Sequence, residues 1–194
     1  MGVLVLNVGS SSLKAALLVV EPGSPEPERL WEGQVALPGP TALLDQLEQW
    51  LEPALQPWWQ RIQRVGHRVV HGGERFTGPT ALTGAVLEQL EALNPLAPLH
   101  NPPALAAIHW LRRRRPQLPQ WACFDTAFHA TLPPEAASYA LPAAWRAGGC
   151  RRYGFHGLSH QHLAERAAAH WQALGHSGQP RLISCHLGAG CSLA

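Results

Sequence analysis

The chain opens on an apolar run, Val3 to Leu6, and a second run, Ala15 to Val20, follows a turn made of Gly9 and three serines. That short separation predicts an antiparallel pair of strands over residues 3–8 and 13–20. A turn rich in Pro and Gly at 22–27 leads to a weaker strand near 30–36. The pattern then changes period. Leu43, Leu44, Leu47, Trp50 and Leu51 recur at helical spacing, which predicts a helix over 41–55 with Thr41 as its cap. A strand from Val65 to Val70 is stopped by Gly72-Gly73, and Val86, Leu87, Leu90 and Leu93 mark a helix near 83–93.

Asn101-Pro102 reads as a helix start, a capping side chain followed by proline at the first helical position. That helix runs to about Arg114, where Pro116 ends it. The short strand Trp121 to Phe124 delivers Asp125. Residues 131–150, rich in Ala and Pro, read as a junction, so the expected domains are 1–130 and 131–194. Leu158 to Leu174 is a helix stopped by Gly175. The strand Leu182 to Cys185 then enters His186-Leu187-Gly188-Ala189-Gly190, a turn that a helix should follow. Hairpins first, then alternating helices and strands, predict a layered α/β fold.

Composition narrows the chemistry. Apolar residues make up 46% and charged residues 14%, which supports a packed core rather than disorder. A formal charge of +2 is too small for electrostatic grip on nucleic acid. The one basic cluster, Arg112 to Arg115, ends a helix and reads as its solvated C-terminus. The four cysteines form no C-x-x-C pair, which suits thiols in a reducing compartment. The start lacks a basic leader and no apolar stretch is long enough to span a bilayer, so a cytoplasmic protein is expected, with no membrane partner.

Lys14 is the only lysine, and it closes Asn7-Val8-Gly9-Ser10-Ser11-Ser12-Leu13-Lys14. A tight turn of small and hydroxyl residues ending in a cation suits a polyphosphate: backbone N–H groups approach the oxygens and the ammonium offsets their charge. Taken alone, this turn and Gly188-Ala189-Gly190 are a hairpin turn and a strand end. Arg68, on a strand ending in two glycines, is a bidentate donor for carboxylate or phosphate, or the ion-pair partner of Glu74. Asp125 sits at the C-terminal end of a strand, where functional groups of open α/β sheets gather. It either holds a metal or a proton there, or caps the next helix. His156 and His160 have the spacing of a metal pair but lack a third ligand, so an imidazole donating to a charged oxygen is the better reading.

These segments occur together and in order. With Gly66-His67-Arg68-Val69-Val70-His71-Gly72-Gly73, Leu99-His100-Asn101-Pro102-Pro103, Phe124-Asp125-Thr126-Ala127-Phe128-His129, Tyr153-Gly154-Phe155-His156-Gly157 and His186-Leu187-Gly188, the chain resembles the N-terminal half of an acetate kinase. The resemblance implies the fold shared by acetate and sugar kinases, actin and heat-shock ATPases, with two similar ribonuclease H-like α/β domains of which the second is incomplete. It implies reversible, Mg²⁺-dependent transfer of the ATP γ-phosphoryl to acetate, giving acetyl phosphate and ADP. By motif position, Asn7 would help bind magnesium, and Ser10, Ser12 and Lys14 would lie near the phosphates. Arg68 would hold the acetate carboxylate with His100 nearby. Asp125 would be the catalytic carboxylate, His156 would stabilise the moving phosphoryl, and His186, Leu187, Gly188, Ala189 and Gly190 would line the ATP phosphates.

Two departures stand out: Ala189 replaces the usual Asn, and Leu158 the usual Thr. The family's second arginine, adenosine-binding segment and late metal-binding glutamate would lie beyond residue 194, so weak or no kinase activity is expected of this chain alone. A homodimer, or a complementing C-terminal half, is the expected partner. Propionate or butyrate kinase is the near alternative, and a non-catalytic nucleotide- or partner-binding fragment the distant one.

Overall fold

The computed structural model describes residues 1–24, 26–39, 42–188 and 190–194. Thr41, expected as a cap, and Ala189 lie outside the described residues. The chain divides into two compact units, one of Met1–His71 with Pro79–Cys123, the other of Gly72–Gly78 with Phe124–Ala194.

The first unit is built on a six-stranded sheet. Strands β1 (Gly2–Val8), β2 (Ser12–Val19) and β3 (Glu28–Ala36) form an antiparallel meander. β4 (Arg64–Val69) lies parallel to β1 on its other side, followed by β6 (Gln120–Phe124) and the two-residue edge strand β5 (Thr80–Ala81). The two expected hairpin strands and their pairing are present. The edge strand β5 was not foreseen, because two residues carry no periodicity.

Alternation decides which face is dry. Leu4, Leu6 and Val8 of β1 and Leu13, Ala15 and Leu17 of β2 point to one side and are buried. Helices cover them: α1 (Ala42–Gln46), a π-helical stretch Leu47–Leu51, α2 (Glu52–Leu55) and α4 (Asn101–Arg114). Leu43, Leu47, Leu51 and Leu55 form the buried stripe, with Ala107, Trp110 and Leu111 of α4. Leu44, expected inward, is exposed. The widened π turn lies just before Pro53, which has no N–H for the carbonyl four residues back and whose ring would strike it. Helix α3 (Gly84–Glu91) is capped by the Thr83 side chain, which accepts from the Val86 N–H.

The arginine run is not simply solvated. Arg112 donates to the Leu82 carbonyl at 2.6 Å, Arg114 pairs with Glu48 and Arg115 with Glu52, and Arg115 stacks 4.2 Å from the Trp59 ring. The cluster ties the end of α4 to α1–α2 and to the loop before α3. The macrodipole still favours cations there, but these partners, over sixty residues away for the two glutamates, give the run a second use.

Between β4 and β6, His67 is buried and bonded to Gln120 Oε1 at 2.8 Å. Burial lowers its pKa from 6.5 to about 4, against the opposing pull of that hydrogen bond. As pH falls below 6.5 the unfolded chain takes up a proton that the folded chain refuses until about pH 4. Stability is therefore full above pH 6.5 and is lost toward pH 4, by about 3 kcal/mol from this residue. Burial lowers the pKa of His71 and His160 too, adding to the loss. Denaturant midpoints measured across that range should fall with pH, and His67→Asn should flatten the curve. An equally steep curve in the variant would remove His67 as the cause.

In the second unit residues 131–150 hold two short helices, α5 (Pro134–Ala137) and α6 (Ala143–Ala147). Helix α7 (Gly157–Ala173) ends before Gly175, which has a φ of +83°. The last strand begins later than expected. Residues 182–184 are not in a strand, and β7 (Cys185–Leu187) pairs antiparallel with β8 (Cys191–Leu193). His186 and Leu187 are thus strand residues, and a strand, not a helix, follows the Gly188–Gly190 turn. The hairpin presents its polar residues inward: His186 and Ser192 are half-buried, while Leu187 is 74% and Leu193 68% exposed.

Candidate active site

In the first unit the strand register sets a polar row across the open face of the sheet. Asn7 of β1 lies opposite Lys14 of β2, and Lys14 opposite Gln34 of β3. On the far side of β1, Arg68 follows the His67 that pairs with Leu6, and its Nη1 donates to Asn7 Oδ1 at 3.0 Å. Arg68, Asn7, Lys14 and Gln34 therefore come from four adjacent strands, all on the face opposite the leucine core. Directly opposite residues in a sheet stand about 5 Å apart at Cβ, within reach of one small anion. A groove of about 440 Å³, lined in part by Val5, Asn7, Lys14, Ala16, Glu32 and Gln34, runs along this face. Sequence reading named Asn7, Lys14 and Arg68 but missed Gln34. The signal was the period-two spacing of Glu32 and Gln34 in a strand whose outward positions are polar.

The serine turn is tight: the Gly9 N–H donates to the Ser12 carbonyl at 2.8 Å, and the Leu37 N–H to that of Ser11. Ser10 is exposed at its tip, and Ser12 begins β2 half-buried.

His100 precedes α4, and its side chain makes no capping bond. Asn101 is not the cap either, contrary to the sequence reading. It is the first helical residue, fully buried, and its amide clamps one residue of another segment: Oδ1 accepts from the His71 N–H and Nδ2 donates to the His71 carbonyl, both at 3.0 Å. An interior partner thirty residues back outcompetes the local capping geometry.

The second unit holds the remaining predicted residues. Asp125 is 1% exposed. Its backbone carbonyl accepts from the Gly157 N–H at 2.9 Å, which docks the start of α7. His156 caps α7 in the left-handed conformation (φ +55°, ψ +25°), the one non-glycine residue with positive φ among those described. Such a backbone costs about 1–3 kcal/mol and persists where surroundings fix it. Its ring stacks on His186 with centroids 4.1 Å apart and planes 13° apart, and its Nδ1 lies 2.8 Å from Ser192 Oγ.

His186 Nδ1 in turn lies 2.9 Å from Ser159 Oγ, and buried His160 Nδ1 2.6 Å from Ser184 Oγ. Three histidine–serine bonds thus fasten the hairpin and the residue before it to the start of α7. Gly188 and Gly190 form the exposed turn between β7 and β8, with the Gly188 N–H donating to the Gly190 carbonyl at 2.9 Å. Glu74, a candidate partner of Arg68 in the sequence, pairs with Arg151 at 3.1 Å. His156 and His160 belong to no group of three or more His, Cys, Asp or Glu suited to a metal among the described residues. No helix among those residues is long and apolar enough to cross a membrane.

Comparison with known proteins adds the relatives. The acetokinase family profile matches residues 38–194. An acetate kinase of Synechococcus sp. (strain JA-2-3B'a(2-13)) is 44% identical over the whole chain, which covers 55% of that protein. One of Gloeothece citriformis (strain PCC 7424) is 40% identical with the same coverage. The crystal structure of Porphyromonas gingivalis acetate kinase superimposes with a TM-score of 0.77 at 33% identity, over 99% of this chain and 54% of that one. A propionate kinase from Francisella tularensis subsp. tularensis SCHU S4 gives the same TM-score and identity, over 99% of this chain and 53% of its own. The chain spans about half the length of the curated relatives it matches, and its α/β fold is that of the matching half of these kinases. Six ordered motifs, the matching profile and whole-chain identity above 40% lead to one conclusion: the chain belongs to the acetokinase family.

Proposed function

We propose that this chain carries the acceptor-binding and phosphoryl-handling half of an acetate kinase, which moves the ATP γ-phosphoryl to acetate in the presence of Mg²⁺. The observation that carries the reading is the row of Arg68, Asn7 and Lys14, with the guanidinium already held by Asn7 at 3.0 Å. An oriented guanidinium donates two parallel bonds to a carboxylate and loses little freedom in doing so. His100 is assigned to the same substrate. Ser10, Ser12 and Lys14, with His186 to Gly190, are assigned to the phosphates, and Asp125 and His156 to the transfer itself.

Acetate titrates near 4, so it is already ionised at neutral pH and needs no general base. Its oxygen bonds to the γ-phosphorus while the bond to the bridging oxygen of ADP breaks. Charge spreads over the three equatorial oxygens, and fixed N–H donors and cations lower that barrier. A hard amide oxygen such as Asn7 Oδ1 suits magnesium, which keeps several waters and phosphate oxygens and takes only one or two protein ligands. Magnesium would neutralise phosphate charge there.

Titration of the 194-residue chain with acetate tests the reading. Arg68→Gln should weaken binding at least about tenfold, the loss of a charge-assisted pair. Equal affinity in wild type and variant would sink it. The equal likeness to the Francisella propionate kinase supports a second reading, propionate as acceptor. One methylene is worth only about 1–3 kcal/mol in an apolar pocket, so propionate belongs in the same titration.

A further inference from the structure

The geometry points to His129 as a positioning residue: with Asp125 it clamps the backbone on both sides of His156 and so holds that residue in its left-handed conformation. The inference rests on the reading of Asp125 and His156 as the transfer groups, and adds the side chain that ties one to the other.

A residue's φ and ψ are set by the two planar peptide groups that flank it. Ahead of His156, the Phe155 carbonyl lies 3.1 Å from His129 Nε2. A carbonyl oxygen only accepts, so the ring donates, and Nε2 carries a proton whether the imidazole is neutral or charged. Behind His156, the Gly157 N–H donates to the Asp125 carbonyl at 2.9 Å. The His156 carbonyl in that same peptide group accepts from the Ser159 and His160 N–H groups, both at 3.0 Å. Both planes are thus anchored, and the rotation between them is the left-handed turn of φ +55° and ψ +25°. The His129 ring is itself confined within the 3₁₀ turn Ala127–Thr131 that follows Asp125. Gly154 lies so close that a Cβ there would overlap the ring's Cγ, and the Phe128 and His160 rings meet it edge-on, with centroids 5.2 and 5.7 Å away. A left-handed residue with a side chain is costly and persists where its surroundings fix it. Here one short stretch, Asp125 to His129, does the fixing and also carries the proposed carboxylate. Carboxylate and imidazole therefore keep one relative placement.

NMR of the 194-residue chain reads φ at His156 from its three-bond couplings and Cβ chemical shift, and the His129 protonation from side-chain nitrogen shifts. Wild type should show the positive φ, with His129 Nε2 protonated. His129→Phe keeps a ring against Gly154 but removes the donor. It should let His156 leave the left-handed conformation and weaken acetyl phosphate about tenfold, the share of one charge-assisted hydrogen bond. His129→Gln, whose amide N–H reaches the same carbonyl, should restore both. Gly154→Ala, which pushes the ring off its place, should repeat the loss from the other side. If His129→Phe fails to fold, adding His156→Gly decides. Glycine takes positive φ at no steric cost, so the double variant should fold, and an unfolded one overturns the assignment. An unprotonated Nε2 in wild type, an unmoved φ in folded His129→Phe, or full affinity in a variant whose His156 has shifted would overturn it too. Should wild type bind no acetyl phosphate while His129→Phe still releases φ, the kinase reading falls and the clamp stands.

Discussion

Gly157→Ala is expected to destabilise the second unit by about 4 kcal/mol and to release the first turn of α7. A Cβ at this position would overlap the Asp125 carbonyl oxygen and meet Phe128 Cβ at 2.9 Å. The oxygen is backbone and cannot swing aside. Overpacking a tight contact costs about 1–3 kcal/mol. The same movement breaks the Gly157 N–H bond to Asp125, worth about 1 kcal/mol more. The proposed function would suffer with it, since Asp125 and His156, the residues proposed for the transfer, both sit at that contact. Gly84, at the start of α3, is the control: a Cβ there meets nothing within 4 Å, so Gly84→Ala should be neutral or gain about 0.5–1 kcal/mol. Urea midpoints and hydrogen exchange of the first α7 amides decide the matter. A Gly157→Ala chain within about 1 kcal/mol of wild type would mean the helix can shift without penalty.

Asn101→Ala should be nearly as damaging, about 3–4 kcal/mol, although the residue looks like an ordinary helix start. Both bonds of its amide go to the buried backbone of His71, and stripping a partner from a buried polar group costs about 1–3 kcal/mol each time. Asn101→Asp is the sharper variant. It keeps an acceptor for the His71 N–H but turns a second oxygen toward the His71 carbonyl, so it should rescue little. Thermal melts of the three chains rank them wild type, then the two variants close together. An Asp variant as stable as wild type would show that the Nδ2 bond contributes nothing.

These two residues also mark where sequence reading stops. Strand and helix periods were legible because Leu4, Leu6, Leu47 and Leu51 repeat at the spacing of the element they build. The residues of the Asn7, Lys14 and Arg68 row were legible as chemistry, since each cation or amide lies in a recognisable segment. For its neighbour Gln34 the period-two spacing with Glu32 marks only the face, and its place opposite Lys14 is set by the pairing of β2 with β3. Asn101 misled for a related reason: Asn-Pro satisfies every local rule for a cap, while its partner lies thirty residues upstream. The hairpin at 185–193 was displaced because Leu182 and Ile183 look like strand interior yet are exposed. His156 gave no hint of its left-handed backbone, which depends on Asp125 and His129 arriving together.

A chain with fourteen arginines and one lysine has an unusual chemical transparency. The α-amino group of Met1 is engaged with the Val20 carbonyl at 2.7 Å, and Lys14 is the sole side-chain amine, exposed on the sheet's open face. Amine-selective acylating reagents therefore meet a single side chain in the whole molecule. Acylation at Lys14, separated from that at the exposed Met1 α-amino group by mapping the modified peptides, becomes a gauge of whether an anion shields that ammonium.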